Sequence, residues 1–308
     1  MGAFSAPRDW GRLLTALITP FDRNDEVNHR ELSRVAKYAV DRQGNDGLII
    51  AGTTGESPTL SADEKLACLD TVLEAVGDRA AVLFGAGTYD TRESVRLAQA
   101  GEAHGAHGIM LVNPYYSKPG QRGLVEHFRT IARSIGGPVL LYNIQPRSAI
   151  NLEVPGLLEL AEEPNIVAVK EASGMIGQIS EVIRRAPEGF RVYSGDDNLT
   201  LPILALGGYG VVSVTGQAIG ALTKRMIEIF PTDPRGAAAI HHETMPFTAA
   251  CFSAPNPVPI KYAMSRLGFD CERVRQPLLP MTDWEKAVID ATMGANARAQ
   301  TPEPTGVA

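Results

Sequence analysis

The chain has 308 residues, 44% of them apolar and 21% charged, with a formal net charge of −6, which is enough for one large domain or two ordinary ones with a sizeable core. That acidic balance, with no basic run interleaved with aromatics, argues against a nucleic-acid partner, and no apolar run is long enough to span a bilayer. The three cysteines, Cys68, Cys251 and Cys271, are scattered and lack a Cys-x-x-Cys pair, so they read as reduced thiols of a cytoplasmic protein. Residues 1–10 also lack the basic-then-apolar pattern of a secretory leader.

In chain order, residues 13–19 form a first apolar strand stopped by Pro20. Asn28, with Glu31 three residues on, predicts a capped helix to about Arg42. Residues 47–51 are a second strand running into Gly52-Thr53-Thr54-Gly55-Glu56-Ser57. Ser61-Ala62-Asp63-Glu64 is a capping box for the next helix. A third strand at 80–84 precedes a helix over 89–104, capped near Asp90. A fourth at 108–112 ends in Asn113-Pro114-Tyr115-Tyr116 and leads to a helix over 120–134. A fifth at 138–142 ends in Asn143-Ile144-Gln145-Pro146-Arg147.

The sixth strand is Ile166-Val167-Ala168-Val169-Lys170, four apolar residues running straight into a lysine. A seventh covers 191–194 and ends in Gly195-Asp196-Asp197; an eighth covers 210–214. Near-continuous apolar runs are what parallel strands covered on both faces show. Eight strand–helix units over this length predict an α/β fold of the (β/α)8 barrel kind. A doubly wound sheet is the alternative, but no Gly-x-Gly-x-x-Gly follows the first strand. After about residue 231 strands disappear, and 241–251, 258–267 and 283–297 read as helices. The expected division is therefore a catalytic barrel over 10–230, a C-terminal helical region over 231–300 and a frayed tail over 301–308.

In such a barrel the active site lies at the C-terminal ends of the strands. That rim carries Thr53 and Thr54 between glycines, Tyr115 and Tyr116, Tyr142 with Arg147 nearby, Lys170 and Gly195. It offers hydroxyls, a guanidinium and an amine, with no histidine or cysteine, so neither a metal nor another cofactor is expected. Lysine is almost never buried without a partner. Desolvation disfavours the charged form of an amine, and a neutral amine in a dry pocket attacks carbonyl carbon to form a Schiff base. Hydroxyls beside it suit the proton transfers that such a condensation needs. Glycine-flanked threonines can present backbone N–H groups to a carboxylate, and an arginine fork suits a second one.

Six stretches carry a resemblance: Gly52-Thr53-Thr54-Gly55-Glu56-Ser57, Asn113-Pro114-Tyr115-Tyr116, Tyr142-Asn143, Val169-Lys170-Glu171-Ala172, Ser194-Gly195-Asp196-Asp197 and Pro255-Asn256-Pro257-Val258-Pro259-Ile260-Lys261. In this order and spacing, from about residue 14 to 287, the chain resembles the dihydrodipicolinate synthase / N-acetylneuraminate lyase family of pyruvate-dependent class I aldolases. The resemblance implies that Lys170 forms a Schiff base with pyruvate and that Tyr142 shuttles protons. It implies that Thr53 and Tyr116 complete the relay, Tyr116 reaching in from a neighbouring subunit. The backbone around Thr53 and Thr54 would hold the pyruvate carboxylate, Arg147 the carboxylate of the second substrate, and the Val212 carbonyl would orient Lys170; Gly195 belongs to the same substrate site. In the synthase branch the second substrate is aspartate semialdehyde, on the way to lysine and diaminopimelate. The expected assembly is a homotetramer, a dimer of dimers.

This chain departs from the family pattern at one telling place. Synthases continue Tyr-Asn/Asp-Val/Ile-Pro-Gly/Ser-Arg, whereas here the proline has moved by one residue and Gln145 is new. Proline constrains itself and the residue before it, so the aim of Arg147, and with it the aldehyde, is what this change touches. The paired threonines and Arg147 fit the synthases better than the sialic-acid lyases, which usually read Gly-Ser-Thr-Gly. A keto-deoxy sugar acid aldolase or dehydratase is the alternative within the chemistry, and a catalytically silent carboxylate-binding paralogue the alternative outside it. At the family's lysine-feedback positions stand Ala62, Lys65 and Tyr89, with Glu93 retained. Lys65 should repel a cationic effector, so feedback by lysine is expected to be weak or absent.

Plainer readings apply elsewhere. Asp196-Asp197 reads as a helix N-cap pair, and His104, His107 and His241-His242 as histidines without metal partners. Residues 255–261 read as a turn fastening the appendix to the barrel. Lys261 is the one serious rival nucleophile.

Overall fold

A computed structural model describes residues 9–293. Eight strands, β1 (Leu13–Ala16), β2 (Gly47–Ile50), β3 (Ala81–Gly85), β4 (Gly108–Val112), β5 (Val139–Asn143), β6 (Ile166–Glu171), β7 (Arg191–Ser194) and β8 (Gly210–Ser213), pair in sequence order and close into a barrel. Every pairing is parallel, including β8 against β1. The doubly wound alternative is thereby excluded, because its sheet is open and reverses direction at a switch point.

Helices α1 (His29–Asp41), α2 (Ala62–Val76), α3 (Thr91–Ala103) and α4 (Gln121–Ala132) follow the first four strands. Then come the one-turn α5 (Gln145–Ser148), α6 (Val154–Ala161), α7 (Ile176–Arg185), α8 (Thr200–Ala205) and α9 (Gly216–Ile229). The appendix is α10 (Pro234–Ala250), α11 (Val258–Arg266) and α12 (Asp283–Thr292). The expected Ser61–Glu64 capping box forms on α2. At α1 only half of one does: Asn28 caps Glu31 N, but the Glu31 carboxylate pairs with Arg34 at 2.8 Å and accepts from Asp270 N at 2.8 Å, tying the appendix to the barrel. α10 starts seven residues before the expected 241, because Asp233 caps it through Gly236 N and Pro234 occupies its first turn. The remainder of the helix expected over 283–297, and the tail over 301–308, lie outside the described residues.

Side chains alternate across each strand, so every strand feeds two apolar layers. Leu14, Ile49, Met110, Leu140, Ala168 and Val212 belong to the cluster that fills the barrel. Leu48, Val82, Leu111, Leu141 and Val169 pack outward among the helices. The N-terminal end of the barrel is closed: Trp10 Nε1 donates to His107 O at 3.0 Å and the Tyr193 hydroxyl to Gly11 O at 2.8 Å. Access is left at the opposite end, where the strands finish. Cys68, Cys251 and Cys271 are all buried free thiols, and no described helix is long and apolar enough to cross a membrane.

Candidate active site

At that open end lies a cavity of about 230 Å3, lined among others by Thr53, Ser57, Met110, Val112, Tyr115, Tyr142, Ile144 and Arg147. The strand register sets its centre, since Tyr142 of β5 lies beside Lys170 of β6, and Lys170 in turn beside Tyr193 of β7. All three point inward. Tyr193 turns toward the plugged end, so Lys170 and Tyr142 share the open one. Lys170 is 4% exposed, and its Nζ lies 4.2 Å from the centre of the Tyr142 ring, over its face. Packed against the ring and almost wholly buried, the amine is kept dry. The lysine does not itself line the cavity but sits behind the tyrosine that does.

The Thr53–Thr54 turn is held from several sides. Its backbone bends through left-handed conformations at Ala51 (φ 54°) and Glu56 (φ 57°). The N–H groups of Thr53 and Thr54 donate to no acceptor among the described residues, which leaves two consecutive donors without a partner. Thr54 is buried and its hydroxyl accepts from Asn256 Nδ2 at 3.0 Å. Arg147 lines the cavity and its Nη2 lies 3.5 Å from Asn256 O. The displaced proline does not turn Arg147 away. Pro146 sits in the first turn of α5, where its missing N–H costs nothing, and the Ser148 hydroxyl closes that turn onto Ile144 O at 2.7 Å.

Gly195 donates to Glu171 O at 2.7 Å, and a Cβ there would stand 2.6 Å from that of Ala172. Glycine is therefore what lets the end of β7 close on the strand carrying Lys170. Val212 is buried inside the barrel on β8, and no hydrogen bond joins it to the Lys170 amine among the described residues. Tyr115 packs edge-on to Tyr89 at 5.5 Å, and its burial raises the phenol pKa. Tyr116 points away from its own cavity: it is 91% exposed, on a backbone with φ 68°.

Asp197 is not an N-cap. Its carboxylate takes the hydroxyls of Ser213 and Thr215 and the N–H of Val214, because the three donors that end β8 converge on it. Asp196 caps nothing through its side chain. Burial raises its carboxyl pKa, while the Lys170 charge opposes the rise and that of Asp197 adds to it, so it is the carboxylate in electrostatic reach of the amine. Among the described residues no cluster of histidine, cysteine and carboxylate could hold a metal. His104 pairs with Asp70 at 2.8 Å and His107 accepts from Val82 N at 3.0 Å. Lys261 is fully buried and bound to Glu56 at 2.6 Å.

A network of three side chains escaped the sequence reading. Glu171, directly after the lysine, is buried, and burial raises its carboxyl pKa against hydrogen bonds from Ser173, Asn143 and Gln178. Asn143 Nδ2 reaches it at 3.1 Å, while Asn113 Nδ2 donates to Asn143 Oδ1 at 2.7 Å. This chain of amides couples the ends of β4, β5 and β6 behind the reactive face. The signal was present in Asn113, Asn143 and Glu171, each immediately after or at the end of a strand, but their pairing is a matter of neighbouring strands.

A buried lysine at the end of the sixth strand, with a tyrosine beside it that shares a cavity with Thr53, fits a Schiff-base-forming lyase on a (β/α)8 barrel. Comparison narrows the class: residues 9–296 match the model of the dihydrodipicolinate synthetase family, and the chain belongs to that family. It is 48% identical over 285 residues to a 4-hydroxy-tetrahydrodipicolinate synthase of Moorella thermoacetica, covering 92% of this chain and 97% of the relative. The crystal structure of a dihydrodipicolinate synthase from Bacillus anthracis superposes with a TM-score of 0.90 at 39% identity, over 92% of this chain and 98% of that one. The enzyme of Cyanidioschyzon merolae, crystallised with lysine bound, matches with a TM-score of 0.91 at 39% identity, over 94% of this chain and 99% of that one.

Proposed function

We infer that this protein catalyses the reaction of 4-hydroxy-tetrahydrodipicolinate synthase, joining pyruvate to aspartate semialdehyde in lysine and diaminopimelate biosynthesis. The observation that carries the reading is the 4%-exposed Lys170 held against Tyr142 at the open end of the barrel. The unprotonated Lys170 amine attacks the keto carbon of pyruvate, and its proton passes to the new alkoxide. Loss of water from that carbinolamine requires a second proton, delivered to the leaving hydroxyl through Tyr142, with Thr53 next in the relay. Removal of a methyl proton then leaves an enamine, whose carbon attacks the aldehyde carbon. The amino group of the second substrate closes the ring onto the former keto carbon and frees Lys170.

The free N–H groups of Thr53 and Thr54 suit the keto-acid carboxylate, and the Arg147 fork suits the carboxylate of the aldehyde. Gly195 gives the close strand approach beside them, and the Val212 carbonyl is the group that would orient the amine once the Tyr142 contact is released. Tyr116, exposed on a left-handed backbone, fits a side chain that serves a neighbouring subunit. That supports a subunit contact, and the assembly we propose is a homotetramer, a dimer of dimers, working in the cytoplasm. In that reading residues 10–230 are the catalytic unit and 231–300 its helical appendage.

The test is a panel of substrates at fixed enzyme. Pyruvate with aspartate semialdehyde should turn over with a kcat/KM at least about a hundredfold above pyruvate with other aldehydes, or cleavage of keto-deoxy acids. Faster cleavage of a sugar acid or sialic acid would move the protein to another branch of its family, and no turnover of any of them would mark it as a carboxylate-binding paralogue.

A further inference from the structure

Lys261 is more deeply buried than Lys170, at 0% exposure against 4%. Its three N–H groups are all engaged. Nζ donates to Glu56 Oε1 at 2.6 Å and to Thr19 O at 2.9 Å, and it faces the Phe21 ring at 4.4 Å. The other Glu56 oxygen accepts from Arg275 N at 3.0 Å. Thr19, whose carbonyl takes one of those bonds, uses its hydroxyl to hold Gly55 O at 2.8 Å. From the same appendix segment Asn256 reaches Thr54 at 3.0 Å. The appendix therefore grips the turn at Thr54 and Glu56, with Gly55 held between them by Thr19, all on the C-terminal side of the unpartnered Thr53 N–H.

A fully buried ion pair is a poor way to gain stability, because two charges must leave water and an apolar pair of the same shape serves as well. Its merit is geometric, since a charge pair fixes direction as well as distance. Glu56 is also a non-glycine residue in a left-handed conformation, which the surroundings must impose. We propose that Glu56 and Lys261 are positioning residues that hold the Thr53–Thr54 N–H groups in the shape that takes the keto-acid carboxylate, so that the appendix sets affinity for the keto acid. The proposal deepens the reading above and rests on it.

The test is the double variant E56Q/K261M, which removes both charges and leaves none buried alone, assayed with pyruvate and aspartate semialdehyde varied separately. KM for pyruvate should rise roughly tenfold or more, while KM for the aldehyde and kcat at saturation each move by less than about threefold. The milder variant E56D keeps the charge but draws the carboxylate back by one methylene. It should show the same split at smaller size, and it carries the test if the double variant does not fold. A lower melting temperature with pyruvate KM unchanged, or both KM values rising together, would overturn the proposal. Borohydride trapping of pyruvate by the unaltered enzyme separates the two layers: its failure there removes the underlying reading, and with it this inference, before any variant is made.

Discussion

At the scale of single residues, the burial of Lys170 was legible because a charged side chain at the end of an apolar strand is anomalous. Four apolar residues ending in lysine demand a reason that four apolar residues ending in serine do not. Glu171 was not legible, since its meaning depends on the Asn143 side chain one strand away, and neighbouring strands alone do not say which side chains meet across them. The effector positions are a residue-scale matter too. Lys65 is 9% exposed, its ammonium pKa lowered by burial against the pull of Glu93, and Glu93 is itself engaged by Arg96. A lysine effector would therefore meet an amine where it needs an acceptor. Inhibition curves should show less than half-maximal inhibition at millimolar lysine, and K65H should not weaken whatever inhibition remains. Strong inhibition of the unaltered enzyme at micromolar lysine would refute this.

At the scale of elements, strand interiors were legible and most of their ends were not. β4 and β7 have the bounds their apolar runs suggested, but β1 stops at Ala16 although the run continues to Thr19. There the chain leaves the ladder to build the floor of the Thr53–Thr54 turn: Leu17 N still bonds Ile49 O at 3.0 Å, while Thr19 serves Gly55 and Lys261. Apolarity reports burial, and the same burial is reached by a strand or by a packed loop. The join of β6 and β7 is set by Gly195, whose missing Cβ is what lets the two ends meet. G195A would push the Glu171–Ala172 segment and thus displace Lys170. We expect a loss of about 1–3 kcal/mol in unfolding free energy together with a fall in kcat, read by denaturant titration and steady-state kinetics. Unchanged stability and rate would show that the close approach is slack.

At the scale of the whole molecule, eight alternating units made the barrel legible, while the use of the appendix was not. Residues 255–261 read as a fastening, and they are one, but what they fasten is the Thr53–Glu56 turn. The sequence places Glu56 and Lys261 about two hundred residues apart, and only the closed barrel brings them together. The stability of the whole fold should also carry a pH signature from His127. Its Nδ1 meets the Thr91 hydroxyl at 2.8 Å, its Nε2 is buried without a partner among the described residues, and burial lowers its pKa to about 4. A histidine that protonates more readily when unfolded contributes stability above pH about 6.5, which is lost as pH falls toward 4. At most this amounts to about 3 kcal/mol. H127Q should lose correspondingly less stability than the unaltered protein between pH 7 and pH 4.5 in urea titrations. Equal losses would place the histidine's environment wrongly.

The account stands on Lys170 as the nucleophile, and one measurement reaches it directly. Incubation with pyruvate and borohydride, followed by peptide mapping, should place a single reduced pyruvyl adduct on Lys170 and none on Lys261, and K170R should abolish both the adduct and turnover. An adduct on Lys261, or full activity in K170R, would contradict it.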